Sequence, residues 1–175
     1  MSEATASSPP LSKVIGEKQA EVSYTNRLAI RAILFHDANS QIALIYIAKR
    51  NYFKLPGGGI EADEDHELAV DRESLEETGC KISLDGMRLL ATSEEWRDDL
   101  HQTSFCYVAS LKEDTGNPKL TTLEASEGLT HRWVSLPDAL EKMRKMEPTT
   151  ELGRYIKKRD LFFMESFASQ GRYST

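Results

Sequence analysis

The stretch GGGIEADEDHELAVDRESLEETGC, residues 57–80, places three glycines ahead of a segment with helical spacing, and the rest of the chain is read outward from it. Asp65 stands at an N-cap position and Gly79 where a helix ends in left-handed backbone, so the spacing predicts a helix over 66–78. Inside it Glu73, Glu76 and Glu77 fall at i, i+3 and i+4 and share one face. Taken alone, three such carboxylates read first as a solvated helix face with Arg72 as its own counter-charge. The competing reading is a hard divalent cation, which prefers oxygen ligands and which carboxylates hold beside a phosphate. Gly57, Gly58 and Gly59 favour that second reading, because backbone without a Cβ can approach both an ion and a ligand.

Outward from this segment, RLAIRAILF (27–35) and QIALIYIA (41–48) are apolar and β-branched enough for two buried strands joined by the turn HDANS. Further strands are expected at 80–84, 87–95, 102–111 and 129–136, with LKEDTGNPKLT (111–121) as a loop. A short helix is expected from about Pro137 and a longer one over 150–167, with Leu152, Ile156, Phe163 and Phe167 along one side. Residues 1–22 lack apolar periodicity and read as a flexible arm. A single domain is expected over 23–170, followed by a flexible tail at 171–175.

The string from Gly58 to Cys80 resembles the Nudix signature. That pattern runs Gly, five residues, Glu, seven residues, Arg-Glu, an aliphatic, any residue, Glu-Glu, any residue, Gly, aliphatic. Gly58, Glu64, Arg72, Glu73, Glu76, Glu77 and Gly79 occupy every fixed position. Ser74 and Cys80 depart from it at the two aliphatic positions. The strand order, the segment RWVSLPDAL around Trp133 and the closing helix are also similar to this family over about residues 25–167.

The resemblance implies an α/β (α+β) fold, a Nudix-like α/β/α sandwich whose mixed central sheet is flanked by helices. It further implies that Glu73, Glu76 and Glu77, with the Gly57 carbonyl, ligate Mg2+ or Mn2+, and that Glu64 and Arg72 brace loop and helix. A phosphoanhydride would then be hydrolysed by in-line attack of a water activated at the metal with a carboxylate's help. Many members recruit another acidic residue as ligand or base. Glu127 is the preferred candidate, ahead of Glu124, Glu94 and Glu95, and a plain solvated loop residue is the equal alternative.

Arg27, Lys49, Arg50 and Lys54 surround the glycine loop and are candidates, with Gly58 and Gly59, for contacting ligand phosphates, since Arg and Lys favour such oxygens. Charged strand ends explain them as well. Tyr52, Phe53, Trp96 and Phe105 read as packing residues before stacking ones. The four histidines lack the pairwise spacing of a zinc site, and neither cysteine has a neighbouring Cys or His at such spacing. Cys80 and Cys106 therefore read as buried free thiols.

The formal net charge of -6 argues against an electropositive surface for a nucleic-acid polymer, and no stretch approaches the length of a membrane span. The start of the chain carries no secretory pattern, so the expected setting is cytoplasmic. The expected partner is a small phosphoanhydride compound, in a chain whose relatives are often homodimers. Subfamily marks for ADP-ribose and diadenosine polyphosphate hydrolases are missing around Glu94, Glu95 and Trp96. A MutT-like nucleoside triphosphate pyrophosphohydrolase is the preferred reading. Hydrolysis of inositol pyrophosphates or dinucleoside polyphosphates follows, and a noncatalytic nucleotide-binding module stands last.

Overall fold

A computed structural model describes residues 9–171. Residues 1–8 and 172–175, which carry most of the expected tail and part of the expected arm, lie outside the described residues. In chain order the elements are β1 (Leu11–Ile15), β2 (Thr25–His36), β3 (Gln41–Ile47), β4 (Tyr52–Lys54), α1 (His66–Thr78), β5 (Cys80–Arg97), β6 (Leu100–Asp114), α2 (Thr122–Glu127), β7 (Leu129–Ser135), α3 (Leu136–Lys145) and α4 (Glu151–Ala168). The sheet runs β1-β5-β6-β2-β3-β4, with β7 also paired to β3. The β1–β5 and β2–β6 pairs are parallel and the others antiparallel, so the sheet is mixed.

Alternation along β2 explains why helices cover both faces. Ile30, Ala32 and Leu34 join Ala69 and Val70 of α1 in one core. Ile33 and Phe35 point the other way and join Ala139 and Met143 of α3 with Ile156, Phe163 and Phe167 of α4. Successive side chains of a strand face opposite sides, so one apolar run feeds two cores and gives the α/β/α sandwich.

Four elements differ from expectation. Leu11–Ile15 is an edge strand rather than part of an arm, held by its parallel ladder to residues 91–95. Only Ile15 is buried there, so no apolar periodicity betrays it. The expected strands at 80–84 and 87–95 are one strand with irregular register between Ser83 and Arg88. The expected loop at 111–121 begins later, because Leu111, Glu113 and Asp114 still pair with Ile82, Lys81 and Cys80. Finally, TLEASE forms a helical turn with a full capping box between Thr121 and Glu124. Both cysteines are free and buried, as expected.

Candidate active site

The loop–helix segment forms as its spacing predicts. Asp65 accepts from the Leu68 N–H at 2.9 Å, and Gly79 adopts φ 72° with its N–H on the Leu75 carbonyl. The glycine loop lies along β2, with Ile30 N–H donating to Gly58 O and Ile60 N–H to Leu28 O, both at 2.9 Å. Two glycines are sterically required. Gly57 has φ 137°, and a Cβ on it would lie 2.3 Å from the Ile30 carbonyl oxygen. A Cβ on Gly58 would lie 2.4 Å from Glu73 Oε1, in the space the carboxylate occupies.

Arg72 ties loop to helix. Its Nε and Nη2 donate to Glu64 at 2.7 and 2.9 Å, Nη2 also to the Gly59 carbonyl at 3.0 Å, and Nη1 to Glu73 and Glu76 at 2.9 and 3.1 Å. The hydrogen bonds Arg72 donates to Glu64, and then the one it donates to Glu73, hold its guanidinium charged well above its ordinary range against the cost of burial. Glu77 is 1% exposed and accepts from the Gly57 N–H at 2.8 Å, while Glu73 is 8% exposed. Burial, and then the neighbouring Glu77, push the Glu73 carboxyl up despite Arg72.

Three carboxylates and the Gly57 carbonyl make an all-oxygen donor set that suits a hard divalent ion. A cation already sits on two of those groups. The Lys54 ammonium donates to Glu77 Oε1 and lies 3.3 Å from Gly57 O. Lys54 thus faces the carboxylates, where it marks a place that favours positive charge.

Glu73, Glu77, Gly57 and Lys54 border a cleft of about 290 Å3, at the lower edge of ligand-pocket size. Its other wall is built from three neighbouring strands that turn polar at the same level. Across β2, β6 and β5 the in-register row Arg31–Cys106–Ala91 is followed by Ala29–Ser104–Ser93 and then Arg27–Gln102–Glu95. Arg27 donates to Gln102 at 3.2 Å, and Gln102 to Ser104 at 3.0 Å. From α4, Arg159 reaches in and pairs with Glu95 at 3.0 Å and Asp160 at 2.7 Å, while Asp160 accepts from the Leu55 N–H at 2.8 Å.

This wall is short of negative charge. Burial, and then Arg159, pull the Arg31 guanidinium down to about 10 against Asp160, Glu95 and Glu77. Arg31 Nε, Arg97 Nε and Arg159 Nη2 are buried donors without a hydrogen-bond partner, and all three residues line the cleft. Buried N–H groups are costly unless paired, so the wall is suited to accept anionic oxygens.

The cleft therefore gathers Arg27, Lys54, Gly57, Gly58, Gly59, Glu73 and Glu77 from the expected residues. Glu76 is joined to it through Arg72, its side chain 40% exposed. Arg50 and Glu127 are paired with each other at 2.7 Å and do not border it, whereas Glu124 does. Tyr52, Phe53, Trp96 and Phe105 do not line it either. Trp96 stacks on His101 at 3.8 Å, Phe53 packs on Tyr46 and Phe105 on His66. Sequence reasoning missed Arg31, Arg97 and Arg159. Arg31 had a visible signal, a second charge on the strand face that carries Arg27 and Ala29 within an apolar run. A larger groove of about 660 Å3 between β4 and α3 contains none of these acidic or unpaired cationic groups.

The sequence pattern of the NUDIX domain family matches residues 25–152. Among solved structures, a NUDIX hydrolase from Nitrosomonas europaea is similar at TM-score 0.62 and 20% identity, over 85% of this chain and 93% of that one. A structure from work on MutT of Aliivibrio salmonicida and Vibrio cholerae is similar at TM-score 0.53 and 18% identity, over 79% of this chain and 98% of that one. At these identities the likeness is one of fold.

Proposed function

Because the chain belongs to the NUDIX family, and is a Nudix pyrophosphohydrolase, we propose that it cleaves the phosphoanhydride chain of a nucleoside triphosphate, as a MutT-like enzyme requiring Mg2+. The observation that carries the reading is the facing of two walls. On one side are Glu73, Glu77 and the Gly57 carbonyl, and on the other are three buried guanidinium donors with no partner.

Glu73, Glu76, Glu77 and the Gly57 carbonyl would hold the divalent ion, Mg2+ or its oxygen-seeking substitute Mn2+. When bound, the ion supplies charge neutralisation on the phosphoryl oxygens and a lowered pKa for water. The chain's own groups do the rest. Arg72 fixes the spacing of Glu73 and Glu76, the Gly57 N–H holds Glu77, and Gly58 leaves room for Glu73. Arg27, Arg31 and Arg97 receive the non-reacting phosphate oxygens and so set the reacting phosphorus against the carboxylates. The proton acceptor is an acidic side chain beyond the helix. Glu124 borders the cleft, and Glu127, at the other end of α2, is paired with Arg50.

A second reading has its own support. Among the described residues, the cleft is lined by five cationic side chains and no aromatic ring. A polyanion such as an inositol pyrophosphate needs the first and can do without the second. In either case we assign the activity to one unit spanning about residues 23–170, acting on a small molecule rather than a nucleic-acid polymer. A cytoplasmic setting and a homodimer complete the proposal. No helix among the described residues is long and apolar enough to cross a membrane.

The test is phosphate and pyrophosphate release, with Mg2+, from a panel of nucleoside triphosphates, dinucleoside polyphosphates and inositol pyrophosphates. Triphosphate turnover that disappears in Glu76→Gln is the expected result. Turnover of inositol pyrophosphates alone selects the second reading, and no turnover of any compound defeats both. Glu124→Gln and Glu127→Gln, assayed together, identify the acceptor as the one whose loss lowers kcat about 10²–10⁴-fold.

A further inference from the structure

Away from the cleft, three side chains of metal-binding type converge from separate elements. Cys80 opens β5, Asp114 ends β6 and His131 lies within β7, and one ligand atom from each falls within 4.8 Å of the other two. No sequence spacing links them. Cys80 and Asp114 meet as register partners across the β5–β6 ladder, and His131 comes from β7, which pairs with β3 and with neither of those strands.

The surroundings hold two of the three in place. Thr115 donates its N–H and hydroxyl to the Gly79 carbonyl at 3.0 and 2.6 Å, and Lys119 N–H donates to the Glu76 carbonyl at 2.7 Å. The Gly116 N–H donates to Asp114 Oδ1 at 2.8 Å and so orients that carboxylate. The thiol is fully buried, the imidazole half-buried and the carboxylate exposed, which leaves an entry path from solvent past Asp114. Cys80 also stands where the signature has an aliphatic residue, so the signature does not account for a sulfur here.

We propose that Cys80, Asp114 and His131 form a second metal site that takes Zn2+, distinct from the carboxylate cluster of the cleft. The ligand types choose the metal. Thiolate and imidazole select Zn2+ over Mg2+ or Ca2+, which seek oxygen alone. Three protein ligands and one water complete a tetrahedron whose donor atoms are about 3.3–3.8 Å apart, so the three groups need to close by only about 1 Å. Binding forms the S–Zn bond and releases the thiol proton to solvent. The ion would clamp the β5–β6 end to β7 immediately beside the C-terminus of α1, the helix that carries Glu76 and Glu77.

The test uses the full chain stripped of metal by a chelator and titrated with Co2+, then Zn2+. A thiolate-to-cobalt charge-transfer absorption saturating at one equivalent, displaced by Zn2+, is expected, together with a Zn2+-dependent rise in melting temperature. Cys80→Val, which restores an aliphatic side chain at the position, should fold and lose the absorption. His131→Gln and Asp114→Asn, which keep the sulfur, should weaken Zn2+ binding at least tenfold. Cys106→Ala and Glu76→Gln should keep the absorption, so the result is independent of whether the cleft hydrolyses anything. The proposal is overturned if the parent shows no such absorption, if Cys80→Val retains it, or if His131→Gln and Asp114→Asn bind Zn2+ as the parent does.

Discussion

The two walls of the cleft are made in different ways. The carboxylate wall comes from 24 consecutive residues of one loop and helix, residues 57–80, tied together mainly by one side chain of that segment. Arg72 alone bridges Glu64, Glu73, Glu76 and Gly59. The cationic wall is assembled from β2, β5, β6 and α4, and its members are brought together by strand register and by the docking of a helix 64 residues further along the chain from Glu95. On the proposed function, the reaction centre is carried by a short local unit, while the surface that would hold the substrate depends on the whole fold. Damage to the first should remove chemistry and leave stability, and damage to the second should do the reverse.

The largest effect expected is on chemistry. Glu73→Gln, which removes a proposed ligand of the divalent ion, should lower kcat by at least about 100-fold, more than the loss of an outer-shell partner costs. Its stability should move the other way. The folded-state pKa of Glu73 is raised by burial and by Glu77, so the native state binds its proton more tightly than the unfolded chain does. That contribution is present in acid and is lost as pH climbs through the raised value above the ordinary carboxylate range. Metal-free Glu73→Gln should therefore melt no lower than the parent at pH 8, and should lack this component of the parent's decline with pH. A clear loss of melting temperature at pH 8 would show that the Arg72 pair outweighs burial.

On the other wall, Arg159→Met should cost about 3–5 kcal/mol by denaturant unfolding, because it leaves Asp160 and Glu95 buried without their partner. A cost below about 1 kcal/mol would mean that the network is not a structural unit. Gly58→Ala brings both regions into one measurement. The new methyl must displace the Glu73 carboxylate, so a stability loss of about 1–3 kcal/mol should accompany a fall in kcat. The smallest effect lies in the helix itself. Ser74 is fully buried with an unpartnered hydroxyl, and Ser74→Ala should stabilise by about 1 kcal/mol without changing activity.

The same contrast governs what could be read from the chain. The helix over 66–78, its caps and its acidic face follow from local spacing, and so do the two apolar strands that feed the cores. Leu11–Ile15 could not be read, because an exposed edge strand is held by backbone pairing rather than by a buried face. Arg159 and Asp160 sit in YIKKRDLFF, where nothing local tells the buried pair from the two lysines beside it. The polar step through Ser104 and Gln102 on β6 is visible in the alternation of that strand. Its meaning appears only when β5 and β2 align Glu95 and Arg27 beside it. Cys80 and Asp114 are likewise joined by register, and His131 meets them only through the packing of β7 in the fold.

The central claim is that residues 57–80 supply the reaction and the arginines opposite supply the grip on phosphate. It is tested most directly by measuring kcat and KM, at saturating Mg2+, for the parent, Glu76→Gln and Arg97→Met on whichever phosphoanhydride the panel selects. The account predicts that Glu76→Gln loses kcat with little change in KM, while Arg97→Met raises KM and largely retains kcat. Undiminished turnover in Glu76→Gln, or an unchanged KM in Arg97→Met, would contradict it.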